Sequence, residues 1–202
     1  MEILNKVILV GKAVEGTQFS HEFKGERFLV TVVGVKRNSG TLDVLPVIHS
    51  EKLGNFNVGD KVRVQGSFRS RNEIVNEKKR LVLNVFADEM EIADIDSIDI
   101  NKIELTGYIC KVPVRRKTSA GREICDLLIA SNRTTGKADY IPCISWGRNA
   151  TYSEKLQVGE KVEITGRVQS RGYQKKINDT EFEDRVAYEV SVVTIFENSE
   201  EE

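Results

Sequence analysis

The chain has 202 residues, with 30 Lys plus Arg against 31 Asp plus Glu and a net charge of -1. That length allows one large domain or two of about 100 residues, and the charge sum alone argues against a polyanionic partner. No apolar run reaches the ~20 residues of a membrane helix, and Met1 leads straight into the strand-like run Val7-Ile8-Leu9-Val10 without a leader. These features give the expectation of a cytoplasmic protein with no membrane association.

An internal repeat decides between one domain and two. Asn5-Lys6-Val7-Ile8-Leu9-Val10-Gly11 recurs 96 residues later as Asn101-Lys102-Ile103-Glu104-Leu105-Thr106-Gly107. The same offset relates Gly25 to Gly121, Arg37 to Arg133, Gly40 to Gly136, Asp43 to Asp139 and Pro46 to Pro142. Beyond the third strand it grows to 100, relating Val58-Gly59-Asp60-Lys61-Val62 to Val158-Gly159-Glu160-Lys161-Val162, and Ser70-Arg71 to Ser170-Arg171. The extra residues lie between 148 and 157 and lengthen the second copy's helix by about one turn.

In chain order, the first copy reads as strands near residues 6–14, 27–36, 43–48, 61–71 and 80–90. The second reads as strands near 102–112, 123–132, 138–146, 161–170 and 185–196. β-branched residues fill these runs and Gly or Asn punctuates them. Five strands with a short helix between the third and fourth is the order of an OB-fold barrel. The expectation is all-β: a first barrel over residues 1–93, a short acidic linker over 94–100 carrying Asp94, Asp96 and Asp99, a second barrel over 101–197, and an acidic tail over 198–202.

The near-neutral sum hides a segregation of charge. Residues 111–176 hold 14 basic side chains against 6 acidic, whereas the chain from Asp179 onward is acidic apart from Arg185. Partners respond to such local fields rather than to the total. Within the basic region, Tyr140 and Trp146 are six apart on one strand and share a face, opposite Ile141 and Cys143. Arg115, Arg116 and Lys117 lie in the connection between the second copy's first and second strands, and Arg171, Tyr173, Lys175 and Lys176 in the connection between its fourth and fifth. Aromatic rings bracketed by cations suit single-stranded nucleic acid, in which every base has a π-face and every nucleotide a charge. Arg133, Lys137, Arg148 and Arg167 are further phosphate candidates, and Phe182 stands at the edge of the second connection.

The rest of the composition excludes most other chemistry. Cys110, Cys125 and Cys143 sit in apolar runs without metal-ligand spacing, and His21 and His49 are isolated, so no metal or cofactor is expected. No nucleophile–base pair and no phosphate-binding Gly-rich loop is present, so the reading is not an enzyme.

The second copy resembles bacterial single-stranded DNA-binding proteins. The resemblance rests on Gly107, Gly121-Arg122-Glu123, Asn132-Arg133, the run from Tyr140 through Trp146 to Arg148, and the run from Val158 through Gly166 to Tyr173. It implies that Tyr140, Trp146 and Tyr173 stack on bases. It also implies work in DNA replication, repair and recombination, a nucleoid-associated location, replication or repair proteins as partners, and four barrels per assembly, here a homodimer. The first copy resembles the family through Asn5 to Gly11, Lys36-Arg37 and Val85-Phe86-Ala87-Asp88. Its counterparts of the three aromatics are Val44, Ser50 and Glu73, which predicts a weak binder at best. The chain end, Glu200-Glu201-Glu202, departs from the family's apolar tip and puts partner recruitment by the tail in question. On charge alone, the acidic segment from Asp179 and the tail would compete with a strand for the groove. Two other readings stay open: single-stranded RNA as the ligand, and a protein-interaction module of a replication-restart or mobile-element complex whose nucleic-acid contact is incidental.

Overall fold

The computed structural model describes residues 4–75, 78–178 and 181–197. Asp179 and the acidic tail at 198–202 lie outside the described residues, and so does the competition expected of the tail; in the segment between, Glu183 pairs with Arg185 and Glu189 with Arg171. Alternation of β-branched residues with polar ones produces a nearly all-β chain. Its first half contains β1 (Asn5–Phe23), β2 (Glu26–Lys36), β3 (Leu42–Ser50), β4 (Lys61–Val75) and β5 (Lys78–Ile92). The second half contains β6 (Ile100–Ile109), β7 (Val114–Lys117), β8 (Glu123–Asn132), β9 (Ala138–Trp146), helix α1 (Arg148–Ser153), β10 (Lys161–Lys176) and β11 (Phe182–Glu197).

Each half closes on itself. In the first, β1 pairs with β2, β2 with β3, β3 in parallel with β5, β5 with β4, and β4 back with β1. The second repeats the circuit through β6, β8, β9, β11 and β10. The fold is thus two tandem five-stranded OB barrels, with α1 between the third and fourth strands of the second and a single 3-10 turn (Glu51–Leu53) at that place in the first. Side chains pointing inward along each strand, such as Val33, Leu45 and Phe68 or Ile129, Ile141 and Val168, are fully buried. The repeated glycines serve closure: a Cβ on Gly66 or Gly166 would collide with the carbonyl oxygen of Phe86 or Ser191 across the strand pair, each beside a bulge.

The first strands of the two barrels pair antiparallel, with Val7 opposite Ile103, its own counterpart in the repeat. Antiparallel pairing of equivalent strands about that point relates the halves by an approximate two-fold axis. The repeated Asn obeys it: Asn5 brackets the backbone of Phe68 with two hydrogen bonds of 2.8 and 2.9 Å, and Asn101 does the same to Val168 at 2.7 and 2.9 Å. Between Ile92 and Ile100, Asp99 accepts from the backbone N–H of Lys36 and pairs with the buried Lys61, so the acidic connection is tied to the first barrel.

Three elements differ from expectation. β10 runs on to Lys176, so Arg171, Tyr173, Lys175 and Lys176, expected in a connection, are strand residues paired with β11. β1 runs on to Phe23 and forms a long, bulged hairpin with β2, in which Phe19 pairs with Leu29 and, past a register shift, His21 with Phe28. Arg115, Arg116 and Lys117, expected in a loop, form β7, paired with the start of β8.

Candidate functional site

The strand β9 behaves as its parity requires. Ile141 and Cys143 are buried inside the barrel, Tyr140 is 45% exposed on the outer face, and Trp146 is half-buried there. Trp146 Nε1 donates to Ser191 Oγ at 3.2 Å, which fixes the indole edge against β11. Gly147, at φ 55°, then turns the chain into α1.

Trp146 lies in a groove of about 790 Å³ that crosses the outer face of the second barrel. Its apolar floor is Ile124 and Ile144, and five arginines line it: Arg37, Arg116, Arg122, Arg167 and Arg171. Arg37 belongs to the first barrel and is one of that copy's cations able to meet phosphate, whereas Arg122 entered the sequence reading only as part of the motif that carries the resemblance. Arg167 is the sharpest feature. Its Nε is buried without a hydrogen-bond partner among the described residues, and burial, reinforced by the charge of Arg37, lowers its pKa from the ordinary arginine value. A guanidinium short of acceptors and close to another is an electrostatic demand for an anion. Among the described residues the one carboxylate in the groove, Glu189, is buried and occupied by Gln169 Nε2 at 2.7 Å and Arg171 Nε at 3.2 Å.

The remaining predicted residues divide into two sets. Arg115 reaches Glu154 at 2.7 Å and Glu123 at 2.6 Å, which raises its pKa, and Arg116 pairs with Asp126 with the same effect. Both remain at the surface, where such pairs open at little cost. Lys117, Lys137, Arg148 and Lys175 are exposed and enter no ion pair with a described residue; Lys176 is also exposed. Tyr173 stands beyond the groove, in a second depression of about 280 Å³ with Pro142, Tyr188 and Arg80, the last contributed by the first barrel. Arg171 lies 5.9 Å from the Tyr173 ring, and Phe182 is exposed at the end of the same hairpin.

Arg133 has a different task. Its Nε and terminal nitrogen donate to the fully buried Asp139 at 2.7 and 2.5 Å, and its pKa is raised by that bond. Asp139 also accepts the N–H of Ser70 at 2.6 Å, Arg133 donates to the Ser70 carbonyl at 3.2 Å, and Ser70 Oγ accepts the N–H of Tyr140 at 2.8 Å. The clamp therefore fixes the backbone of Tyr140 from the first barrel. Its mirror image joins Arg37, Asp43, Ser170 and Val44, with Asp43 accepting from Ser170 N–H at 3.0 Å and Ser170 Oγ from Val44 N–H at 2.9 Å.

Cys125 and Cys143 are buried, and burial pushes the Cys125 thiol up to about 11. No group of three metal-ligating side chains occurs among the described residues. No helix among them is long and apolar enough to cross a membrane.

The family model for the single-strand binding protein family matches residues 100–195, the second barrel. Single-stranded DNA-binding protein B of Bacillus subtilis is 34% identical over 83 residues, which cover 38% of this chain and 74% of that protein. Single-stranded DNA-binding protein A of the same organism is 31% identical over 84 residues, 38% of this chain and 49% of that one. A Listeria innocua relative, single-stranded DNA-binding protein 2, is 32% identical over 82 residues, 37% and 52% of the two chains. The chain thus spans about half the length of the latter two. Among solved structures, the wild-type single-stranded DNA-binding protein of Thermus aquaticus superposes with a TM-score of 0.79 at 16% identity, over 100% of this chain and 96% of that one. A deletion mutant of that protein gives 0.76 at 20% identity, over 98% and 96%. At these identities the likeness concerns the fold, and it extends across both barrels.

Proposed function

The chain belongs to the single-strand binding protein family, and on that premise we propose that it binds single-stranded DNA with little sequence preference, through the outer face of its second barrel. The observation that carries this reading is the groove in which Trp146 sits among five arginines, one of them, Arg167, with a buried Nε that meets no acceptor among the described residues. A phosphate supplies the missing acceptor to Arg167 Nε and complements the charge of its neighbours, while exposed aromatic faces take the bases. A strand entering at Arg116 and Arg122 stacks on Trp146 and continues past Arg171 toward Tyr173 and Tyr140, with Lys117, Lys137, Arg148, Lys175 and Lys176 as peripheral cations. Arg115 acts by exchanging its carboxylate partners for a phosphate. Arg133 acts by positioning Tyr140 rather than by touching DNA.

Nothing in this arrangement grips a duplex: the groove offers stacking faces, which paired bases do not expose. In the same reading the division at residues 94–100 separates a first unit from the DNA-binding second, and two chains associate to present four barrels. The protein serves replication, repair or recombination in the cytoplasm, at the nucleoid.

The test is equilibrium binding of a labelled poly-dT oligonucleotide, beside a duplex of the same length, at salt concentrations between 50 and 200 mM. Single-strand affinity should fall with a log–log slope of about 0.7 per neutralised phosphate, with duplex binding far weaker. Equal affinity for both, or binding insensitive to salt, would contradict the proposal and turn attention to a protein partner. An RNA strand of equal length in the same assay decides between the two nucleic acids.

A further inference from the structure

We propose that the first barrel carries a second stacking surface for single-stranded DNA, formed by His21, Phe28, Phe86 and Arg69. The inference rests on the reading of the second barrel and extends it to the half whose aromatic positions on the third strand are empty. The rings of His21 and Phe28 are stacked, with centroids 5.0 Å apart and planes 11° from parallel. Phe86 follows at 5.6 Å, tilted by 45°. The guanidinium of Arg69 lies 3.8 Å from the centre of the Phe86 ring. Four planar groups thus form a ladder across the barrel face, perpendicular to the strands.

The ladder occupies the same register as the groove of the second barrel. Phe28 is paired with Ser50, as Ile124 is paired with Trp146. Phe86 is paired in parallel with Ile48, as Ser191 is paired with Ile144. The aromatic surface has moved from the third strand to the second and fifth, with the small Ser50 between. The rings face outward, because their neighbours Leu29 and Val85 are the ones buried in the core. The face continues along the β1–β2 hairpin to Phe23, which is 60% exposed with Lys24 Nζ 5.5 Å from its ring centre, whereas Phe19, paired with Leu29, lies on the opposite face. Arg69 donates to Ser67 Oγ and meets no carboxylate in an ion pair among the described residues. His21, Phe28, Phe86 and Arg69 are each half-buried, open on the outer side; π-faces and guanidinium planes at a surface are the groups on which unpaired bases stack, and cations beside them complement a phosphate backbone.

The second barrel supplies the control substitutions. Phe28→Ile with Phe86→Ser gives the first barrel the residues that the second folds with at those positions, and Arg69→Gln does the same for the counterpart of Gln169. Two readouts are taken on the full chain: the number of dT nucleotides occluded per chain, from Trp146 quenching by oligonucleotides of stepped length, and anisotropy-measured affinity in a Trp146→Ala background. The double variant should leave quenching by the shortest oligonucleotides intact and reduce the occluded length by about half. In the Trp146→Ala background it should weaken binding by a further tenfold or so. An unchanged occluded length and affinity, with Trp146 still quenched, would overturn the ladder while leaving the second-barrel site standing. Absence of quenching in the unsubstituted chain would instead overturn the site from which the inference starts. If the double variant melts below the unsubstituted chain, His21→Ala and Arg69→Gln read the same two quantities without emptying the space between the rings.

Discussion

The two barrels share a circuit of strands, a closing glycine, a bracketing asparagine and an Arg–Asp–Ser clamp, yet their outer faces have diverged. In the second, Ile124 and Ser191 leave room beside Trp146, and arginines surround an open groove. In the first, Phe28 and Phe86 fill the corresponding space with rings, and Arg69 stands over Phe86. The inward positions kept one chemistry while the outward positions took two. Closure of each barrel and the junction between them constrain the first set, and the ligand constrains the second.

The junction offers the largest effects. Asp43→Ala and Asp139→Ala each leave an arginine and a serine N–H without the carboxylate that served them, and each should cost about 3 kcal/mol of stability in urea unfolding. The two-fold relation requires similar costs. A small value for Asp43 beside a large one for Asp139 would mean that the clamp exists to set Tyr140 and not to join the barrels. Next come Gly66→Ala and Gly166→Ala, in which the added methyl meets a backbone carbonyl; about 2 kcal/mol is expected for each, read as a lowered thermal midpoint.

Binding then separates the halves. Trp146→Ala should lose about 1–3 kcal/mol of affinity for oligo-dT, whereas Ser50→Ala, at the same register in the first barrel, should lose none. The smallest effect concerns a buried polar position. His49 is fully buried, its Nε2 3.0 Å from Thr31 Oγ1, and burial lowers its pKa. Because the unfolded chain takes up a proton near its ordinary value of about 6.5 and the folded chain resists it, stability holds above that pH and declines as pH falls below it. The counterpart, Ser145, cannot titrate. Melting between pH 7.5 and 5 should therefore show a loss, of about 1 kcal/mol or less, that His49→Asn abolishes.

Much of this was legible in the chain. The offsets of 96 and 100 already joined Arg37 to Arg133, Asp43 to Asp139 and Ser70 to Ser170, the six residues of the clamps, although sequence does not say that Ser70 meets Asp139 across the junction. Parity along β9 put Tyr140 and Trp146 outward, because period two operates within a single strand. The ladder was hidden for the complementary reason. His21, Phe28, Phe86 and Arg69 belong to four strands, and parity says nothing about which residues meet across strands until register is known. Arg133 illustrates the same limit: its type suggested phosphate, and only the three-dimensional pairing with Asp139 shows that it is occupied.

The most direct measurement is the fluorescence of Trp146, the only tryptophan in the chain, titrated with oligo-dT at low and high salt. The account predicts strong quenching that weakens as salt rises, and persistence of the quenching in Tyr173→Ala at reduced affinity. Binding of the strand with Trp146 emission unchanged would contradict the claim that the groove of the second barrel is the site.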